Sequence, residues 1–136
     1  MVRSLIPRRW LDGDERELGV VGEGYLLGLT PTEMSDSAPT AATGRRVVML
    51  GGMADPEGRR GRADAIVFQV PWTSVVGYWQ GEMPLPPERW REGPEGPVVV
   101  LVLDPEAADG HDVAIRSHLG SWVEACRGLG IPEILD

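Results

Sequence analysis

Residues 98–131 read VVVLVLDPEAADGHDVAIRSHLGSWVEACRGLGI, and three patterns follow one another within them. Val98 to Leu103 is apolar on both faces, the pattern of a strand buried on either side. DPEAADG then supplies a turn with Asp109-Gly110, and Val113 with Ile115 begins a returning strand. Ser117 is a suitable N-cap for what comes next. Leu119, Trp122, Val123 and Cys126 fall at i, i+3, i+4 and i+7, one stripe of a helix that Gly128 and Gly130 end. Such a helix lies on something apolar. Short strands followed by one C-terminal amphipathic helix indicate an antiparallel sheet with a helix against it, an α+β domain that is mostly β.

Upstream, Leu18 to Thr30 alternates in the strand period, with Val21, Tyr25, Leu27 and Leu29 on one face and Gly22, Gly24 and Gly28 on the other. A strand with one thin side suits strong curvature or the close approach of another backbone, as at the bend of a small barrel. Residues 31–45, PTEMSDSAPTAATGR, lack apolar periodicity and read as a loop. Val47 to Leu50 is a short strand, and Ala65 to Val70 alternates with Ile66, Phe68 and Val70 on one side. Val75 to Gln80 follows after the Pro71 break, so two strands meet at a corner. Residues 81–97 hold five prolines and read as an insertion, with one or two helical turns at ERWRE.

The chain has 136 residues, 42% of them hydrophobic, which suits one domain over 1–136 with its own core. A formal net charge of −8 argues against general affinity for nucleic acid or anionic lipid, because phosphates would be repelled. The single cysteine, Cys126, excludes an intramolecular disulfide and points to a reducing compartment. Every one of the 13 cationic residues is arginine and lysine is absent, a bias of GC-rich codons that suggests a high-GC bacterium. No stretch is apolar enough to span a membrane, and MVRSLIPRRW has no signal-peptide pattern, so the cytoplasm is expected.

Three runs, GEGYLLGLTPTEM, IVFQVPWTSVVGYW and the ending quoted above, together resemble the pleckstrin-homology superfold in its GRAM and bacterial PH-like forms, over a core of about residues 18–130. The resemblance implies a bent antiparallel barrel of about seven strands with a C-terminal capping helix. It implies a surface for lipids, peptides or proteins and no catalysis. Two departures are the long loops at 31–45 and 81–97, and the dense basic loop of phosphoinositide-binding members is absent.

Several groups could carry chemistry. The acidic hairpin Asp104, Glu106, Asp109, His111 and Asp112 offers oxygens and one nitrogen to a cation, but lacks a recognised ligand spacing. An ordinary solvated turn is the favoured reading, with a small metal-dependent enzyme as the alternative. A Cys126 nucleophile with His111 or His118 as base is disfavoured, because the thiol lies on the apolar stripe of the helix. Arg59, Arg60 and Arg62 could form an anion site, although the acids among them make a salt-bridged loop the stronger reading. No cofactor and no small-molecule substrate is indicated. Trp72, Tyr78, Trp79, Met83 and Trp90 crowd together in a chain poor in rings, and they are the candidates for a protein-partner surface or a self-interface in a homo-oligomer. A second small core is the competing reading.

Overall fold

The computed structural model describes residues 6–27, 38–51, 65–83, 96–107 and 110–135. Among them, a 3-10 turn at Arg8–Trp10 precedes strands β1 (Glu17–Leu27), β2 (Ala38–Thr43), β3 (Arg46–Gly51) and β4 (Ala65–Pro71). A second 3-10 turn, Trp72–Ser74, leads to β5 (Val75–Met83), β6 (Gly96–Leu103), β7 (Asp112–Ile115) and helix α1 (Leu119–Gly128).

The seven strands form one antiparallel sheet in the order β4-β3-β2-β1-β7-β6-β5. The two edge strands, β4 and β5, are consecutive in the chain and separated only by Trp72–Ser74. In a flat sheet they would stand about 29 Å apart, six spacings of about 4.8 Å. Pro71 to Val75 reaches at most about 14 Å when fully extended. The sheet is therefore rolled, with its edges brought together at this corner. Strand β1 is the hinge of the roll. Its first half pairs with β2 and its second half with β7, and Gly24 is register partner to both Ala38 and Ile115.

Alternation along each strand divides the apolar side chains between two faces. Val47 and Met49 of β3, Val99, Leu101 and Leu103 of β6, and Val113 and Ile115 of β7 join the main core beneath α1. Trp122 and Cys126 are fully buried there and Val123 nearly so. Gly22 makes this closeness possible, since a Cβ on it would lie 2.8 Å from both Ile115 and the Trp122 indole nitrogen. The thin side expected of β1 is the side on which Trp122 lies, and the Trp122 Nε1 donates to the Val21 carbonyl at 3.1 Å. The helix closes in a Schellman motif: the amide of Gly130, at φ +77°, donates to Arg127 O and the amide of Ile131 to Cys126 O.

The opposite face is buried as well, in two patches. Val98, Val100 and Val102 of β6 pack with Tyr25, Leu27 and Ala114, and half-buried Trp79 and Ile134 rest on them. Ala41, Val48 and Leu50 pack under Ile6, with Trp10 and Leu11 against them. Val98 to Leu103, expected to be the most buried strand, is at most 3% exposed.

Four expectations are corrected. Residues 31–45 contain a strand, β2, built from Ala38, Pro39, Thr40, Ala41, Ala42 and Thr43. Its small side chains fit between β1 and β3, and Thr43 supplies hydrogen bonds rather than bulk, so apolar periodicity did not mark it. The segment 81–97 is shorter than read, because β5 runs to Met83 and β6 starts at Gly96, with Glu82 opposite Pro97. Ile66 lies on the face opposite Phe68 and Val70, because the β3–β4 register shifts between Met49 and Leu50 and leaves Val67 over. The residue before the helix is also different. His118, in left-handed conformation at φ 56°, occupies the N-cap position without a side-chain cap. Ser117 instead accepts the Glu23 amide at 3.1 Å, tying the helix entry to β1.

Both ends of the described chain pack on the sheet, beyond the core expected at 18–130. Residues 6–17 form a strap over β2 and β3, fixed by a buried carboxylate. Glu15 accepts two hydrogen bonds from Arg46, at 2.9 and 3.0 Å, one from the Thr43 hydroxyl at 2.6 Å and one from the Asp12 amide at 3.0 Å. Arg46 also donates to the Trp10 carbonyl and to Gln69, each at 2.6 Å. Burial pushes the Glu15 carboxyl up, but the bonds from Arg46, Thr43 and Asp12 outweigh it and hold the group at about 2. At the other end, residues 132–134 lie parallel to the β5 edge. The Tyr78 amide donates to Pro132 O at 3.0 Å, and the Ile134 amide donates to Tyr78 O at 2.7 Å. Gly77 leaves the room that Ile134 fills, since a Cβ there would stand 2.8 Å from its side chain.

Candidate functional site

The aromatic corner resolves into separate roles. Trp72 is 5% exposed and donates its Nε1 to Thr43 O at 2.8 Å, so it pins the turn between the sheet edges to β2. Tyr78 is 1% exposed, with its hydroxyl accepting from Arg127 Nε at 3.3 Å. Both rings belong to the main core, which removes them from any partner-facing surface. Trp79, on the opposite face of β5 as strand geometry requires, is half-buried and lies across Gly81. Met83 ends β5 opposite Gly96. Trp90, Arg59, Arg60 and Arg62 lie outside the described residues.

The acidic hairpin is tied into its own backbone. Asp112 is buried and accepts the Leu103 amide at 2.9 Å, and Asp104 accepts the Glu106 amide at 3.0 Å. These are turn-stabilising roles for Asp. Asp109 is outside the described residues, and among the described residues no group of three His, Cys, Asp or Glu could hold a metal ion. Burial pushes the Cys126 thiol up to about 12, so it carries almost no thiolate at neutral pH, the opposite of an activated nucleophile.

The surface offers something the sequence did not single out. A groove of about 440 Å³ runs between α1 and the start of β1, lined by Leu18, Gly19, Val20, Ser121, Glu124, Ala125, Gly128 and Leu129. It exists because β1 begins irregularly. The β1–β2 register shifts between Glu17 and Val20, and Gly19 sits at φ +72°. This turns Leu18 outward while Val20 drops into the core. Across the groove, Leu129 follows the last helical residue and projects from the turn that ends α1. Leu18 and Leu129 are 41% and 40% exposed, two of the few large apolar side chains the described surface leaves uncovered.

No family model, curated protein or solved structure matches the chain.

What the groove can do follows from its lining. One carboxylate, Glu124, and one hydroxyl, Ser121, stand beside an otherwise apolar wall, the composition of a site that holds an apolar side chain and orients it by a few polar contacts. The signal available beforehand was slight. Leu129 stands between Gly128 and Gly130, and Leu18 directly before Gly19, two large apolar residues next to glycines where a regular element cannot continue to cover them.

Proposed function

We propose that this protein is a non-catalytic binding module of PH-like architecture whose partner is a protein, engaged through the groove between α1 and β1. The observation that carries this reading is the pairing of exposed Leu18 and Leu129 across one concavity. The architecture is supported by the rolled seven-strand order, two meanders joined through β1, with a C-terminal helix over one face. The non-catalytic reading is supported by the commitments of the reactive groups described: Cys126 is desolvated, Glu15 is bound by Arg46, and Asp112 holds a backbone amide. Among the described residues no helix is long and apolar enough to cross a membrane. Self-association through the same groove is the second reading, favoured by the same two leucines.

The test is the double variant Leu18→Ser, Leu129→Ser. Each leucine is only about two-fifths exposed, so the double variant loses some packing while the core beneath stays intact, and a variant that remains folded at the assay temperature lets a change in binding be assigned to the surface. The protein-partner reading predicts a folded variant with a modestly lowered melting temperature, an unchanged mass by light scattering and loss of the partner captured from native-cell lysate by the wild-type chain. A dimer that becomes monomeric in the variant favours the self-interface. Unchanged capture and unchanged mass reject the groove.

A further inference from the structure

We propose that a second cleft, between the N-terminal strap and the beginning of β1, binds a small organic phosphate or carboxylate through Arg8 and Arg16. The cleft measures about 490 Å³ and is lined by Ile6, Arg8, Leu11, Gly13, Asp14, Glu15, Arg16 and Glu17. That volume suits a metabolite-sized ligand.

Three of the lining residues are acids, and each is engaged. Glu15 is neutralised by Arg46 in the buried pair, Asp14 is paired with Arg45, and Glu17 accepts the Ile6 amide at 3.2 Å. The lining cations differ. Arg8 and Arg16 are both exposed, and neither makes a side-chain hydrogen bond or ion pair with the described residues. Arg9, next in the chain, spreads over the Trp10 ring at 5.5 Å. In a chain of net charge −8, this is a place where positive charge is left without a partner among the described residues, beside a concavity.

Ile6 and Leu11 add an apolar wall, so the fitting ligand has an anionic head and an apolar body. Arginine suits such a head because its planar fork can meet two oxygens at once. The rigidity of the site comes from below. The strap carrying Arg8 is fixed to the sheet through the Trp10 carbonyl and Glu15, both held by Arg46. The site is distinct from the groove at α1, with which it shares no lining residue.

The experiment is a titration of the full chain followed by amide NMR, with phenyl phosphate, benzoate and inorganic phosphate as probes. Phenyl phosphate or benzoate should give saturable shifts at Arg8, Leu11, Gly13 and Arg16, with half-saturation at or below about 1 mM, and inorganic phosphate should bind at least about fivefold more weakly for want of an apolar body. The double variant Arg8→Gln, Arg16→Gln, at exposed positions, should keep the wild-type spectrum elsewhere and weaken binding at least about tenfold. Tightest binding by phenyl phosphate names a phosphate ligand, and tightest by benzoate a carboxylate. Absence of saturable shifts from either organic probe overturns the site, as does equal binding by the double variant. Inorganic phosphate binding as tightly as phenyl phosphate overturns the apolar half of the proposal.

Discussion

Under α1 the sheet is closed by side chains packed on side chains, with Trp122, Val123 and Cys126 lying against Val99, Leu101 and Ile115. On the opposite face, β2 and β3 are closed by a strap whose hold is ionic, Glu15 gripped by Arg46 and Thr43 while Ile6, Trp10 and Leu11 spread over Val48 and Leu50. The first closure depends on apolar area and shape, and the one thiol in it, Cys126, is pushed up to about 12 and stays neutral. The second places a carboxylate where its charge is favoured only because three donors converge on it, so it responds to pH and to loss of a single group. Two substitutions each break one closure and leave the other in place, and a third loosens only the C-terminal tail.

The largest effect is expected from Trp122→Ala, which deletes a fully buried ring and its bond to Val21 O. Denaturant unfolding should show a loss of about 3–5 kcal/mol, nearly independent of pH. A loss under about 1 kcal/mol would mean that α1 does not close this face.

Glu15→Gln should cost about 2–4 kcal/mol at neutral pH, because Arg46 is left without its countercharge while mostly buried. The pH profile sharpens the comparison. The folded carboxyl sits at about 2 against an ordinary 4.5, so its stabilisation is fully present above pH 4.5 and drains away as pH falls from there towards 2. Unfolding measured at pH 7 and pH 3 should show a fall in stability for the wild type that is clearly smaller in Glu15→Gln. Parallel profiles would show that the ion pair does not hold the strap.

The smallest structural effect belongs to the C-terminal tail. Gly77→Ala puts a methyl group where the Ile134 side chain rests and should lift residues 132–134 from β5 at a cost of about 1 kcal/mol. Hydrogen exchange reads it directly: the Ile134 amide, bonded to Tyr78 O, should lose protection while the β6 amides keep theirs. Retained protection at Ile134 would mean that the tail adapts around the new methyl.

The same contrast explains what was legible in the sequence. The helix stripe declared itself through periodicity and strand 98–103 through an unbroken apolar run, and Gly22 of β1 marked a side where another backbone lies close, a Cβ there standing 3.0 Å from Ser117 O. Strand β2 was hidden because Thr40, Ala41, Ala42 and Thr43 are buried by virtue of being small, a property that hydrophobic patterning does not record. The strap was hidden because its anchor joins Glu15 to Arg46, far apart in the chain, and such a pair looks in sequence like any two surface charges. Trp72 and Tyr78 misled for a related reason. A crowd of aromatics marks a place where the chain needs large side chains, and here the need was internal, at the corner where the rolled sheet brings its edges together. The groove at α1 was scarcely visible, because it arises from the irregular register at Gly19 and not from a run of residues.

Two surfaces could meet a partner, the groove at α1 and the aromatic corner, and site-specific photo-crosslinking in the native cell decides between them. A photoreactive residue replacing Leu129, at the mouth of the groove, should give a discrete crosslinked species that the additional change Leu18→Ser abolishes. The same probe replacing Trp79, half-buried on β5, should give none. Crosslinking from position 79 but not from 129 would contradict the assignment of the groove and return the binding surface to the aromatic corner.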